Sequence, residues 1–172
     1  MALAAVHGLD VAQQISFAVL AASMVISALR MVTTKNLVHA ALYLTVVLAG
    51  AAGIYILLAA EFVAVTQVLV YIGAVVVLVL FGLFLTRAPL GDAQDLDNGQ
   101  RWVAAVVSLL LVGGLGVVLQ RAFKGQHVVV RQVFRTSDVG VSIFHDFVIP
   151  FEVASVLLLA ALVGAVVIAR RD

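Results

Sequence analysis

Charged residues divide this chain into long apolar stretches. Val11–Leu29 spans 19 positions with no charge, Asn36–Ala60 and Phe62–Thr86 span 25 each, Trp102–Gln120 spans 19 and Val153–Ala169 spans 17. A helix needs roughly 17–25 predominantly apolar residues to cross a bilayer. The pattern therefore predicts five membrane-spanning helices, at approximately 11–29, 38–59, 62–85, 102–120 and 149–169. The runs are apolar on every face. That argues against a membrane β-barrel, whose strands alternate apolar and polar positions.

The intervals predict the connections. An N-terminal tail of about ten residues, without a basic run, precedes the first stretch, which is read as a true span rather than a cleaved leader. The first span is expected to end at Arg30, followed by a basic link over Met31–Lys35. Glu61 alone separates the second and third apolar runs, which predicts a tight hairpin. Two polar loops follow, at 87–101 and 121–146. The first holds Pro89, Gly91 and Gly99 as breakers. In the second, His127–Phe134 reads as a short extended piece and Ser137–Phe147 as a short interfacial helix. Pro150 is placed at the opening of the fifth span, where its missing N–H costs nothing. With the N-terminus outside, the inner side carries Arg30, Lys35, Arg87, Arg101, Arg170 and Arg171, most of them directly at span ends. The outer side then carries Arg121, Lys124, Arg131 and Arg135, so positive charge favours an outside N-terminus and a cytoplasmic C-terminus. The fold class is all-α integral membrane, with residues 1–172 as a single membrane domain.

Composition narrows the chemistry. The chain is 65% hydrophobic and 11% charged, against about 25% charged in soluble domains. It has no cysteine, which excludes thiolate-held iron–sulfur clusters, cysteine-ligated zinc and disulfides here. Only His39 of its four histidines lies within a span, so a haem held by two facing histidines is excluded. A net charge of +1 gives no sign of nucleic-acid binding. No nucleophile–base pair, phosphate loop or metal-ligand spacing appears. Every span centre lacks the charge that pumps and antiporters place at mid-membrane. No repeat or proline-broken span supports a stand-alone transporter.

The polar residues inside the spans are few. Gln67 and Tyr71, four apart, are expected on one helix face. An amide in hydrocarbon needs a partner, so the plain reading is an interhelical hydrogen bond. His39 and Tyr43 are expected to pair at the interface, and Glu61 to be a wet hairpin residue. Glu152 is expected in the first turn of span five, stabilised by the helix dipole; the sharper alternative is a carboxylate in a proton path. Ala160/Gly164, Ala161/Ala165, Ser23/Ser27 and the cluster Gly113, Gly114 and Gly116 suit close helix packing.

Three segments carry a family resemblance. Thr66-Gln-Val-Leu-Val-Tyr-Ile-Gly-Ala-Val-Val-Val-Leu-Val-Leu-Phe81 resembles the third span of subunit J of proton-pumping NADH–quinone oxidoreductase, respiratory complex I, the counterpart of mitochondrial subunit 6. Val139–Arg171 is similar to that family's last loop and last span, and Asn36–Leu44 to the start of its second span. Phe147 departs from the tyrosine of many relatives. The Val-rich half after Tyr71 departs from their Met or Phe.

The resemblance implies a bacterial inner-membrane, multi-pass subunit packed against subunits of the A, H, K and N types. It would be a non-redox part of the enzyme with no active site of its own and no bound cofactor. FMN, iron–sulfur clusters, NADH and quinone would be handled on other subunits. The family's third helix can contain a π-bulge near the tyrosine–glycine pair, which makes or breaks a water path. Here Tyr71, Gly73, Gln67, Val75 and Val79 are the candidates for that path and its gate, with Glu61, Glu152 and His39 secondary. Gly73 lowers the cost of an irregular turn. Tyr71 is expected at the end of the regular helix, just before a single widened turn. The alternatives are a homologous subunit of an F420H2-, ferredoxin- or hydrogenase-linked complex, and a small transporter.

Overall fold

The computed structural model describes residues 2–85, 100–125 and 135–170, with side chains from Val11 onward. The described residues form helices: α1 (Ala2–Thr33), α2 (Leu37–Leu57), α3 (Glu61–Thr66), a π-helical segment (Gln67–Val76), α4 (Val77–Leu85), α5 (Arg101–Phe123), α6 (Thr136–His145) and α7 (Val148–Ala169). Five stretches are long and apolar enough to cross a membrane: Val11–Thr33, Leu37–Leu57, Glu61–Leu85, Arg101–Phe123 and Val148–Ala169. The all-α, five-span reading holds, and the protein is a multi-pass integral membrane protein.

Local details differ from the sequence expectation at several ends. The first ten residues are not a separate tail, because the α1 backbone is helical from Ala2. The same helix runs past Arg30 to Thr33, whose hydroxyl donates to the Leu29 carbonyl at 2.8 Å. Glu61 is not a hairpin residue but the first residue of α3, where a carboxylate favours the positive end of the helix. The proposed extended piece at 127–134 and nearly all of the loop at 87–101 lie outside the described residues.

Two helix ends have clear chemical causes. Asn36 caps α2, its side-chain oxygen accepting from the Val38 and His39 N–H groups at 2.9 and 3.2 Å. These donors would otherwise have no partner in the helix. At the other end of α2 the chain turns back through Leu58, Ala59 and Ala60. The Ala60 N–H donates to the Tyr55 carbonyl at 2.9 Å and the Ala59 N–H to Ile56 at 3.0 Å. That is the Schellman pairing. It places Ala59 at φ +56°, a left-handed conformation normally given to glycine.

Helix α2 is the centre of the packed unit, contacting α1 on one side and the third span on the other. Its core is made of small residues: Ser27 of α1, Ala41 and Ala52 of α2, Ala64 of α3 and Val76 of the π segment are buried. On α1 the less exposed positions include Leu20, Ser23, Met24, Ser27, Ala28 and Met31, the three-and-four spacing of one helical stripe. Gly50 and Gly53 form the facing hollow. A Cβ at Gly50 would overlap Met24 Cγ and Sδ, and one at Gly53 would meet Leu20 Cδ1 at 3.0 Å. Gln13 closes the far end, its Nε2 donating to the Leu57 carbonyl at 3.0 Å. Close approach of this kind is how helices gain packing energy in lipid, where hydrocarbon burial supplies little.

The interfacial helix expected over Ser137–Phe147 is α6. The Arg135 N–H donates to the Asp138 carboxylate at its start, 3.0 Å away. Phe144 of α6 stacks edge-on against Phe151 of α7, with centroids 5.1 Å apart at 64°. Helix α6 also touches α3. Among the described residues, α5 packs against no other element and α7 only against α6. Gly113, Gly114 and Gly116 have open space around them.

Candidate functional site

The irregular third span is the chain's most distinctive feature. Regular α-helix persists only through Thr66, and ten residues from Gln67 to Val76 then carry the wider π winding. The irregularity falls on the segment singled out from the sequence, but it is longer than one widened turn. Tyr71 therefore sits in its middle, not at the end of the regular helix. Gly73 is inside it too, and a Cβ there would lie 3.4 Å from the Val68 carbonyl oxygen, five residues back. A hydrogen in that place leaves the widened turn uncrowded.

The winding decides which side chains meet α2. Ala64, Gln67, Ile72, Val76, Leu80 and Leu83 form the less exposed stripe along the span. From Gln67 the steps are five, four, four and three. A regular helix starting from Ala64 would instead turn residues 71, 75, 78 and 79 inward. The extra residue in the wide turns shifts the packed face by one position. Val76 is 3% exposed, whereas Tyr71, Val75 and Val79 are 50%, 45% and 43% exposed. Gln67 and Tyr71, four apart within the π segment, differ in exposure, and no hydrogen bond between them is seen among the described residues. Gln67 is partly buried and Tyr71 is exposed.

The secondary candidates are scattered. Glu61 is exposed at the start of α3, and His39 is exposed near the start of α2. Among the described residues no hydrogen bond joins His39 to Tyr43; His39 is exposed and Tyr43 half-buried. Glu152 is the fifth residue of α7, which begins at Val148. It lies beyond the first turn, so the expected dipole stabilisation fades there. Its side chain is exposed beside Ile149, Val153, Val156 and Leu157. Among the described residues no three His, Asp or Glu come together as a metal site.

Sequence reasoning did not single out Ile72, Val76 and Leu80 as the packed face, because their place depends on the winding. It also passed over Gly50 and Gly53, whose three-residue spacing in an apolar run was a usable signal.

Five apolar spans, a core of alanines and glycines, and one irregular helix define a polytopic membrane subunit. Residues 27–168 match the family model for NADH-ubiquinone/plastoquinone oxidoreductase chain 6. The chain belongs to that family, and is a membrane-arm subunit of a multi-subunit NADH–quinone oxidoreductase complex. It is 38% identical to NAD(P)H-quinone oxidoreductase chain 6 of Leptolyngbya boryana, covering 93% of this chain and 81% of the relative. It is 40% identical to F(420)H(2) dehydrogenase subunit J of Methanosarcina mazei, covering 91% and 90%. The chloroplastic subunit 6 of Chlorokybus atmophyticus is 35% identical over 93% and 84%.

Proposed function

We propose that the third span gates a water path which couples quinone reduction to proton movement in neighbouring subunits. The observation that carries this reading is the one-position shift of the packed face across Gln67–Val76. A π turn holds one more residue than the α turn it replaces. Converting it to regular winding rotates the helix beyond it by roughly 100°. Tyr71, Val75 and Val79 then exchange places with Ile72, Val76 and Leu80. In one register the apolar Val75–Val79 face leaves the path open. In the other it closes the path by contact. Tyr71 offers a hydroxyl that can order water, and Gln67 offers an amide about one turn before it. A gate needs two states of similar free energy, and Gly73 keeps the irregular winding accessible.

This chain carries no active site and no cofactor in this reading. FMN, iron–sulfur clusters, NADH and quinone are served elsewhere, and the exposed faces of α5 and α7 meet subunits of the A, H, K and N types. The N-terminus is outside and the C-terminus cytoplasmic, and residues 1–172 act as one membrane domain. The test of the gate is proton translocation per NADH in assembled complex carrying Gly73→Val or Tyr71→Phe. The expected outcome is a fall in pumping larger than any fall in assembly, and parental pumping in both variants overturns the gate.

A second reading of the donor rests on the 40% identity to the Methanosarcina mazei dehydrogenase subunit. Co-purification of the soluble subunits decides between NADH and reduced F420.

A further inference from the structure

Only Asp146 and Phe147 join α6 to α7, and the bonds of that corner converge on a few groups. The Asp146 and Phe147 N–H groups both donate to the Ser142 carbonyl, at 2.9 and 3.0 Å. The Asp146 carboxylate accepts from the Ser142 hydroxyl at 3.2 Å and meets Nδ1 of His145 at 2.9 Å. Across the corner Phe144 and Phe151 are in ring contact. Helix α6 touches both α7 and α3, while among the described residues α7 touches only α6. The corner therefore carries the described link between the fifth span and the start of the third.

One of these bonds depends on a proton. A neutral imidazole presents Nδ1 either as a donor or as a bare lone pair, and the bare lone pair cannot bond a carboxylate; an imidazolium always donates. His145 is also the last residue of α6, where positive charge complements the helix dipole. The elements packed on α6 offer no substitute. The titratable groups of α3 and α7 are the carboxylates Glu61 and Glu152, and neither helix contains Lys, Arg or His. Asp138 of α6 is engaged at the opposite end of that helix by the Arg135 N–H. Within these three helices only His145 can place positive charge beside Asp146.

We propose that the α6–α7 corner is a pH latch, closed when His145 is protonated and loosened when it is not. Proton uptake strengthens the His145–Asp146 pair, so the closed corner is favoured at low pH. That support is lost as pH rises across about 5 to 8, where histidine as a residue type changes charge. With the N-terminus outside, as proposed above, the corner lies on the outer side, to which a proton pump delivers protons. The latch then tightens as that side acidifies and holds the fifth span to the start of the third. The outward placement rests on the proposed orientation; the latch itself rests on neither that orientation nor the gate in the third span.

Backbone amide exchange reads the latch, because the Asp146 and Phe147 N–H groups are among its bonds and local opening frees them. The experiment measures deuterium uptake of the Ser142–Val148 peptide in assembled complex at about pH 5.5 and about pH 8, each corrected for the intrinsic exchange rate. The His145 and Asp146 side chains are 84% and 59% exposed, so the pair is modest. The expected gain in protection at the lower pH is about two- to fivefold. His145→Gln and Asp146→Asn should each abolish that gain, and His145→Arg should keep the protection at both pH values. Ser142→Ala should lower protection at both while leaving their ratio. Equal parental protection at the two pH values overturns the latch, as does a gain that survives in His145→Gln. In sealed vesicles the gain should follow the pH of the outer compartment. A gain that follows the inner compartment instead overturns the outward placement and the proposed orientation together.

Discussion

Replacing Gly73 by alanine is the most economical way to perturb the register balance. The added Cβ would lie 3.4 Å from the Val68 carbonyl oxygen, an ordinary contact, so the π winding survives without rebuilding. In a regular helix, alanine is more favourable than glycine by about 0.8–1.0 kcal/mol. That preference is largely backbone entropy, which both windings share; the contact with the Val68 carbonyl belongs to the π register, so the remaining difference favours the α register. The equilibrium then shifts toward regular winding by less than about fivefold. Tyr71, Val75 and Val79 move toward α2, and Ile72, Val76 and Leu80 move out. Labelling of single cysteines reads this directly. In the Gly73→Ala background, Val79→Cys should react more slowly and Leu80→Cys faster, changing their ratio in proportion to the shift. An unchanged ratio in assembled complex would show that Gly73 does not tune the register, and the two-state argument would lose its pivot.

Other expectations follow from single contacts. Asn36→Ala leaves the Val38 and His39 N–H groups without their cap and should destabilise α2 by about 1 kcal/mol, read as a lower midpoint for heat-induced disassembly. Ala59→Gly relieves a left-handed alanine that costs on the order of 1 kcal/mol and should raise the same midpoint. Gly50→Leu collides with Met24 and should reduce assembly, with partial recovery on adding Met24→Ala; equal loss in the single and double variants would place the effect elsewhere. Glu152→Gln should keep assembly and most coupled activity, since its carboxylate is exposed among apolar neighbours; loss of pumping in fully assembled complex would give Glu152 a role in the proton path.

Much of this architecture was legible in residue spacing. Five uncharged runs define five spans because a bilayer tolerates so little charge. Tyr71 and Gly73 marked the helix that carries the π segment, through the family resemblance and the permissiveness of glycine. The packed face was not legible, because periodicity arguments presume 3.6 residues per turn. Ten π-wound residues carry every later side chain to a different side. Ala59 was equally silent, since alanine gives no sign of a left-handed cap; the tertiary pairing of α2 and α3 forces it there. Glu61 and Glu152 were misplaced by a few residues because apolar runs fix a span, not the first residue of its helix. Among the described residues α5 packs against no other element, so no contact there fixes its faces.

We propose that the third span holds one residue more than its packing needs, and that function uses the surplus. Deleting Val70 removes that residue. With one residue removed, a regular helix keeps Ala64, Gln67, Ile72, Val76 and Leu80 on the α2 side and has no second register to visit. The measurement is proton translocation per NADH alongside quinone reduction, in purified complex shown to contain all its subunits. The expected result is retained quinone reduction with lowered translocation. Parental translocation by the deleted variant would contradict the claim and leave the π segment as a packing irregularity.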